Sequence, residues 1–148
     1  MSADIFIPAR TSGHGQFTVD IDHEKAGWGY SGLRVVELEA GASQALETGD
    51  SELLVLPLAG SATVNVDGRD YELAGRPGVF QAVTDYLYVG RGKELTITSA
   101  AGGRFAFPSA VATKDLPTAY YPKETVRIDL RGAGDCSRQV NNYCLAVE

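Results

Sequence analysis

Short apolar segments cut by Gly, Pro and Asp set the pattern of this chain. FTVDI (17–21), LRVVEL (33–38), ELLVLPLAG (52–60), ATVNV (62–66), DYEL (70–73), YLYV (86–89), ELTITS (94–99), RFAFP (104–108) and TVRIDL (125–130) are rich in β-branched and aromatic residues and bounded by turn formers, which predicts strands. LRVVEL and ELTITS alternate apolar with polar positions, the mark of a strand with one buried face. LLVLPL is apolar throughout, as expected of a strand near the middle of a sandwich; its Pro57 removes a ladder donor and predicts an edge position or a bulge. Asp67-Gly68 in VNVDGRDYEL predicts a two-residue hairpin, because a type I′ turn needs positive φ at both central positions. Gly60 predicts a second tight bend. VFQAVTDYLYV (79–89) carries apolar residues at 79, 80, 83, 86 and 87, which is helical spacing, but its valines, aromatics and flanking glycines favour extended structure. No other stretch offers the uninterrupted run of a helix. Many short strands at this spacing mean an all-β sandwich or small barrel.

Length and charge narrow the classes. The 148 residues suit one domain. Thirteen basic against nineteen acidic residues leave a net charge of −6, which repels nucleic-acid backbones and anionic membranes. MSADIFIPARTSGHG lacks the apolar core of a signal peptide, and nowhere do about 18 apolar residues run together as a membrane span requires. The expected location is cytoplasmic, with Cys136 and Cys144 reduced. Their spacing matches no zinc motif, and His14 and His23 lie far upstream.

Few motifs suggest chemistry. DIDHEK gathers Asp20, Asp22, His23 and Glu24, but alternation separates His23 from the two aspartates and predicts a solvated acidic turn. His14, between glycines, reads as a loop residue. Asp50 and Glu52 have no companion acid. The glycines of GRGKE (90–94) and GAG (132–134) lack the strand–loop–helix setting of a phosphate cradle. There is no G-x-S-x-G, and neither cysteine has a histidine nearby in sequence to activate it. Trp28 and Tyr30 could stack on a sugar, although aromatic anchoring of the sandwich is commoner. The densest polar segment is RGAGDCSRQVNNYC (131–144), close to the C-terminus.

Two resemblances extend this reading. GDSELLVLPLAGSATVNVDGRDYELAG resembles the first half of a cupin domain, with Glu52, Gly60, Asp67 and Gly68 on the cupin pattern. The resemblance implies a jelly roll around a metal held by His-x-His, a downstream Glu and a third His. Here Leu46, Glu47 and Thr48 stand where His-x-His belongs, and GRPGVFQAVTDYLYVGRG has no histidine. Glu52 alone cannot hold an ion, since catalytic sites typically use three protein ligands. The expected fold is an all-β, cupin-like jelly-roll sandwich or barrel without metal, and Glu52 reads as a surface carboxylate.

GWGYSGLRVVELEAG (27–41), GGRFAFPSAVAT (102–113) and RGAGDCSRQVNNYC, together with the cupin-like segment, resemble the N-terminal half of the 5-deoxy-glucuronate isomerases of myo-inositol catabolism. That family is related to the 5-keto-4-deoxyuronate isomerases. The resemblance implies a bicupin of about twice this length that interconverts an aldose and a ketose, with its divalent metal in the second cupin. It places an N-terminal cupin-like domain at 1–130 and a linker towards a missing second cupin domain at 131–148. Arg138, Gln139, Asn141 and Asn142 become candidates for binding the uronate carboxylate and sugar hydroxyls, an arginine fork suiting a carboxylate. The alternative is that they pin an interdomain loop by satisfying backbone groups that cannot pair in a ladder. No catalytic residue, metal ligand or cofactor is expected within this chain. The implied partners are the second cupin domain, further copies of the protein and a small sugar acid. Two rivals stand beside the inactive N-terminal domain. One is a stand-alone cupin-like module that binds a sugar acid or a protein without chemistry. The other is an enzyme with an unusual ligand set from Asp20, Asp22, His23 and Glu52.

Overall fold

The computed structural model describes residues 6–145. Its elements in chain order are β1 (Phe17–Ile21), α1 (His23–Ala26), β2 (Ser31–Leu38), β3 (Ser43–Glu47), β4 (Ser51–Val66), β5 (Arg69–Arg76), β6 (Tyr86–Val89), β7 (Glu94–Thr98), β8 (Gly103–Val111), β9 (Ala119–Tyr121), β10 (Arg127–Arg131) and β11 (Arg138–Asn142). Nine strands join through β4. Its first half lies in a larger sheet ordered β1-β2-β8-β4-β6-β9, and its second half in a smaller sheet ordered β3-β7-β4-β5. Every pairing is antiparallel, and β10 with β11 forms a separate two-stranded ribbon.

The two sheets close over one apolar core. Val36, Leu53, Val55, Leu87, Val89, Phe105 and Phe107 come from the larger sheet and Leu46, Val64, Val66, Leu73, Leu95 and Ile97 from the smaller. These alternate positions point inward, as period-two strands require. Each fully buried large side chain contributes about 1.5–3 kcal/mol by leaving water. All nine expected strand segments lie at least partly on strands.

The differences have local causes. Gly60 bends a strand without ending one: β4 runs through it with φ 95°, and the ladder shifts register on both sides of the bend. A Cβ on Gly75 (φ 67°) would run into the Gly60 carbonyl, so the corner where β4 changes sheets needs glycine on both strands. Pro57 takes the bulge, and β4 is central, with β8 on one side and β6 on the other. Asp67 (φ 49°) and Gly68 (φ 85°) make the expected hairpin tip. VFQAVTDYLYV forms no helix; a turn around Val79–Gln81 leads through loop into β6. Strand β3 was not expected, because SQALE has poor β propensity and is extended only through pairing with β7. The acidic turn DIDHEK holds a single helical turn, with the Asp22 carboxylate accepting from the Lys25 backbone at 2.7 Å. His14 is held in place, exchanging two backbone hydrogen bonds with Phe17.

Candidate functional site

The polar segment at the chain's C-terminal side is not a loop. Residues 138–142, expected in an irregular linker, are strand β11, and their backbone pairs in full register with β10 from Arg127↔Asn142 to Arg131↔Arg138. The ladder pairs the backbone of residues 138–142, and two of the side chains serve further carbonyls, Arg138 that of Cys136 and Asn142 that of Arg127. Alternation then divides the four candidate residues. Arg138 and Asn142 share one face of the ribbon with Arg127, Asp129 and Arg131; Gln139 and Asn141 lie on the other, across from Leu130 and Ile128.

On the charged face, Arg127 clamps Asp129 with two bonds of 2.9 and 3.1 Å, and Arg131 and Asn142 donate to the same carboxylate at 3.1 and 3.2 Å. The Arg127 and Arg131 guanidinium groups pull the Asp129 carboxyl down to about 2. Arg138 reaches only the Cys136 carbonyl, at 3.2 Å. On the other face Gln139 donates to Asn141 at 2.9 Å, beside Ile128 and Leu130, which are 50% and 83% exposed. The arrangement offers guanidinium groups on one side and an amide pair with apolar neighbours on the other. Placed on opposite faces, the four residues do not converge on one site.

The ribbon is rooted in a buried polar network that sequence reasoning missed. Arg76, 7% exposed, donates to the Pro57 carbonyl at 2.9 Å, the Ala82 carbonyl at 3.0 Å and the Tyr143 hydroxyl at 3.1 Å. Asp85, 3% exposed, accepts from the backbone of Ala74 and Gly75 at 2.8 and 2.9 Å and from the Tyr120 hydroxyl at 2.8 Å. The Tyr120 ring is exposed while its hydroxyl is drawn into the network, and loss of water with the adjoining carboxylate pushes its pKa up to about 12. Tyr86 stacks on Tyr121 and meets Tyr143 edge-on, and its hydroxyl accepts from the Cys144 backbone at 3.0 Å. The available signal was an ionisable residue, Asp85, directly before the apolar run YLYV: a charge there must be paired.

Glu52 lies on the outer face of the larger sheet and accepts from the Tyr88 hydroxyl at 2.6 Å. Desolvation, then the neighbouring carboxylate, hold the Tyr88 phenol well above its ordinary pKa. The pair lines a groove of about 220 Å³ with Leu54, Pro108, Ala110 and Cys144. Cys136 and Cys144 are free thiols, and burial raises the Cys144 pKa.

A divalent ion at the cupin position does not fit this chain. The space between the sheets is filled by aliphatic and aromatic side chains, and Glu52 points away from it. Asp20, Asp22, His23 and Glu24 instead line a separate cleft of about 310 Å³ with Tyr30, Arg34 and Asp50. Among the described residues no group of three or more His, Cys, Asp or Glu side chains is arranged to hold an ion. Asp20 faces Arg34 across the β1–β2 ladder, and burial lowers the Arg34 pKa against the pull of that aspartate. Trp28 and Tyr30 do not anchor the sandwich: they are 59% and 69% exposed, although the Tyr30 carbonyl accepts from the Val111 backbone at 3.1 Å.

The architecture is therefore that of a cupin-like jelly-roll sandwich with a packed interior. The model of the KduI/IolB family matches residues 5–148, and the chain belongs to that family. It is 28% identical over 140 residues to the 5-deoxy-glucuronate isomerase of Geobacillus kaustophilus, covering 93% of this chain and 51% of that protein. The protein of the same name from Listeria monocytogenes serotype 4b is 29% identical over 129 residues, covering 85% and 47%. Among solved structures, an IolB-like protein from Salmonella typhimurium LT2 superimposes with a TM-score of 0.81 at 26% identity, over 88% of this chain and 51% of that one. The chain spans about half the length of the curated relatives it matches. Among the described residues no helix is long and apolar enough to cross a membrane.

Proposed function

We propose that this chain is the N-terminal, non-catalytic domain of a 5-deoxy-glucuronate isomerase of the cytoplasm, whose metal-holding cupin is a second domain of the same protein. The observation that carries the reading is the match of 93% and 85% of the chain to about half of each isomerase relative, combined with a barrel whose interior is filled. The sugar-acid substrate and the isomerase activity come from the name of those relatives, and the aldose–ketose form of the reaction from the family resemblance. In the longer protein the β10–β11 ribbon lies against the second cupin, with Arg138 on one face available for a carboxylate and Gln139 and Asn141 on the other for hydroxyls, while Arg131 stays on Asp129. Residues 131–148 then form the passage between domains, rooted on the first barrel by Tyr143.

The test is an isomerase assay on the purified 148-residue chain with added divalent metal. The expected outcome is no turnover above a metal-only blank; clear turnover rejects the reading. A second reading, a module that binds a neutral sugar without chemistry, draws on Tyr30 at the rim of the cleft with Asp20, Arg34 and Asp50 and on exposed Trp28 two residues earlier. Quenching of the single tryptophan by monosaccharides supports that module, and an unchanged spectrum rejects it.

A further inference from the structure

The outer face of the larger sheet is apolar along a straight cross-strand row. Leu33 pairs with Pro108, Leu54 with Tyr88 and Tyr88 with Ala119, and the β4–β8 register brings Leu54 beside Pro108. An antiparallel sheet that faces water alternates apolar with polar positions, and continuous apolar runs belong to strands covered on both faces. The unbroken run Leu53–Leu58 in β4 is of the second kind, yet the core covers only one of its faces. The Tyr88 phenol is already bonded to Glu52, so its ring can be covered without stranding a donor.

We infer that this row is the seat of the second half of the longer family protein, an inference that rests on the domain reading above. Two observations choose that occupant over another molecule. The chain spans 51% and 47% of its isomerase relatives, which leaves about as much protein again to be placed. The path out of the sandwich also crosses this face: Tyr143 packs on Tyr86, and Cys144 lines the groove with Leu54, Tyr88 and Pro108. A domain tethered there meets the row at an effective concentration that a separate molecule does not reach.

The experiment follows the coding frame past Glu148, produces the chain with and without the half so encoded, and compares both by hydroxyl-radical footprinting. Burial of the row predicts about fivefold lower labelling of Leu54 and Tyr88 in the joined protein, with Trp28 unchanged. With the halves expressed separately, Leu54→Lys and Leu33→Lys each weaken their association by about tenfold or more, as loss of an anchoring contact does, while Thr63→Lys does not. Two substitutions on different strands guard against one misfolded variant. A joined protein that isomerises its substrate but labels equally at Leu54 and Tyr88 overturns the placement and leaves the isomerase reading intact. Protection without activity does the reverse. A frame that stops at Glu148 removes the occupant and overturns both. Protection of the row by a second copy that the other half does not displace overturns the placement as well.

Discussion

The two sheets of this sandwich share a core and differ on their outer sides. The larger shows water the row Leu33, Pro108, Leu54, Tyr88 and Ala119. The smaller shows Ser43, Thr98, Thr63 and Glu72 in one row and Ala45, Thr96, Asn65 and Asp70 in the next. The smaller sheet's side chains also bond to one another: Ser43 with Thr98 at 2.6 Å, Thr63 with Glu72 at 2.9 Å and Asn65 with Asp70 at 2.6 Å. Strand β4 belongs to both sheets, and its outward positions change from Leu54 and Leu56 to Thr63 and Asn65 on passing the Gly60 bend. Neither backbone geometry nor the shared core demands that change. It records what each face meets outside the sandwich, and only the smaller sheet is finished as a water-facing surface.

The sharpest way to break this comparison uses two adjacent leucines. Leu53 is 2% exposed in the core, so Leu53→Ala removes buried contacts and leaves a cavity, costing about 2–5 kcal/mol. Leu54 faces outward, and Leu54→Ala in the 148-residue chain costs about 0.5 kcal/mol or less. Urea denaturation followed by circular dichroism measures both. A Leu54→Ala loss equal to that of Leu53→Ala means that the outer face is already covered.

The next effect concerns what ties the chain end to the larger sheet. Arg76→Met leaves the Pro57 and Ala82 carbonyls without their donor and frees the Tyr143 hydroxyl, a loss of about 2–4 kcal/mol for a buried, charge-assisted cluster. Tyr143→Phe removes one acceptor, shared by Arg76 and the Thr84 backbone amide, and costs about 1 kcal/mol. The same melts rank the two. Equal losses mean that the guanidinium acts only through Tyr143.

A smaller effect belongs to the polar face. Asn65→Ala removes the cross-strand bond to Asp70 and the bond from the Gly68 backbone, a loss of about 0.5–1 kcal/mol. Sedimentation velocity checks that this substitution leaves association of the chain unchanged, as expected of a face that meets only water.

The architecture was legible because period-two alternation and turn chemistry are local. Asp67-Gly68, LRVVEL and ELTITS carry their structure in their own residues. SQALE was not legible, since its strand exists only through the β7 edge it completes. RQVNN read as a loop because its polar residues hide the pairing partner RIDLR eleven positions upstream. At the candidate site, residue types could be named, but alternation on an unrecognised strand decides which face each takes, and it divides Arg138 and Asn142 from Gln139 and Asn141. The Arg76–Asp85–Tyr143 network joins parts of the chain that only the folded topology brings together.

The ribbon repeats the comparison in miniature, with a charged face around Asp129 and an apolar one at Ile128 and Leu130. A two-stranded ribbon is marginal in water, so its own side chains must hold it until something covers the apolar side. Asp129, clamped by Arg127 and Arg131, is lowered from 3.8 to about 2. A folded pKa below the unfolded one means that its ion pairs contribute fully above pH 3.8 and are lost as the pH falls through about 2. These pairs are solvent-exposed, so the effect is confined to the ribbon and weakens with salt. Carbon-detected NMR of the Asp129 carboxyl is expected to show a midpoint near the lower value, and Arg127→Ala to move it back towards 3.8. An unshifted midpoint in both proteins means that the charged face does not order the ribbon, and its register then rests on Ile128, Leu130 and the backbone ladder.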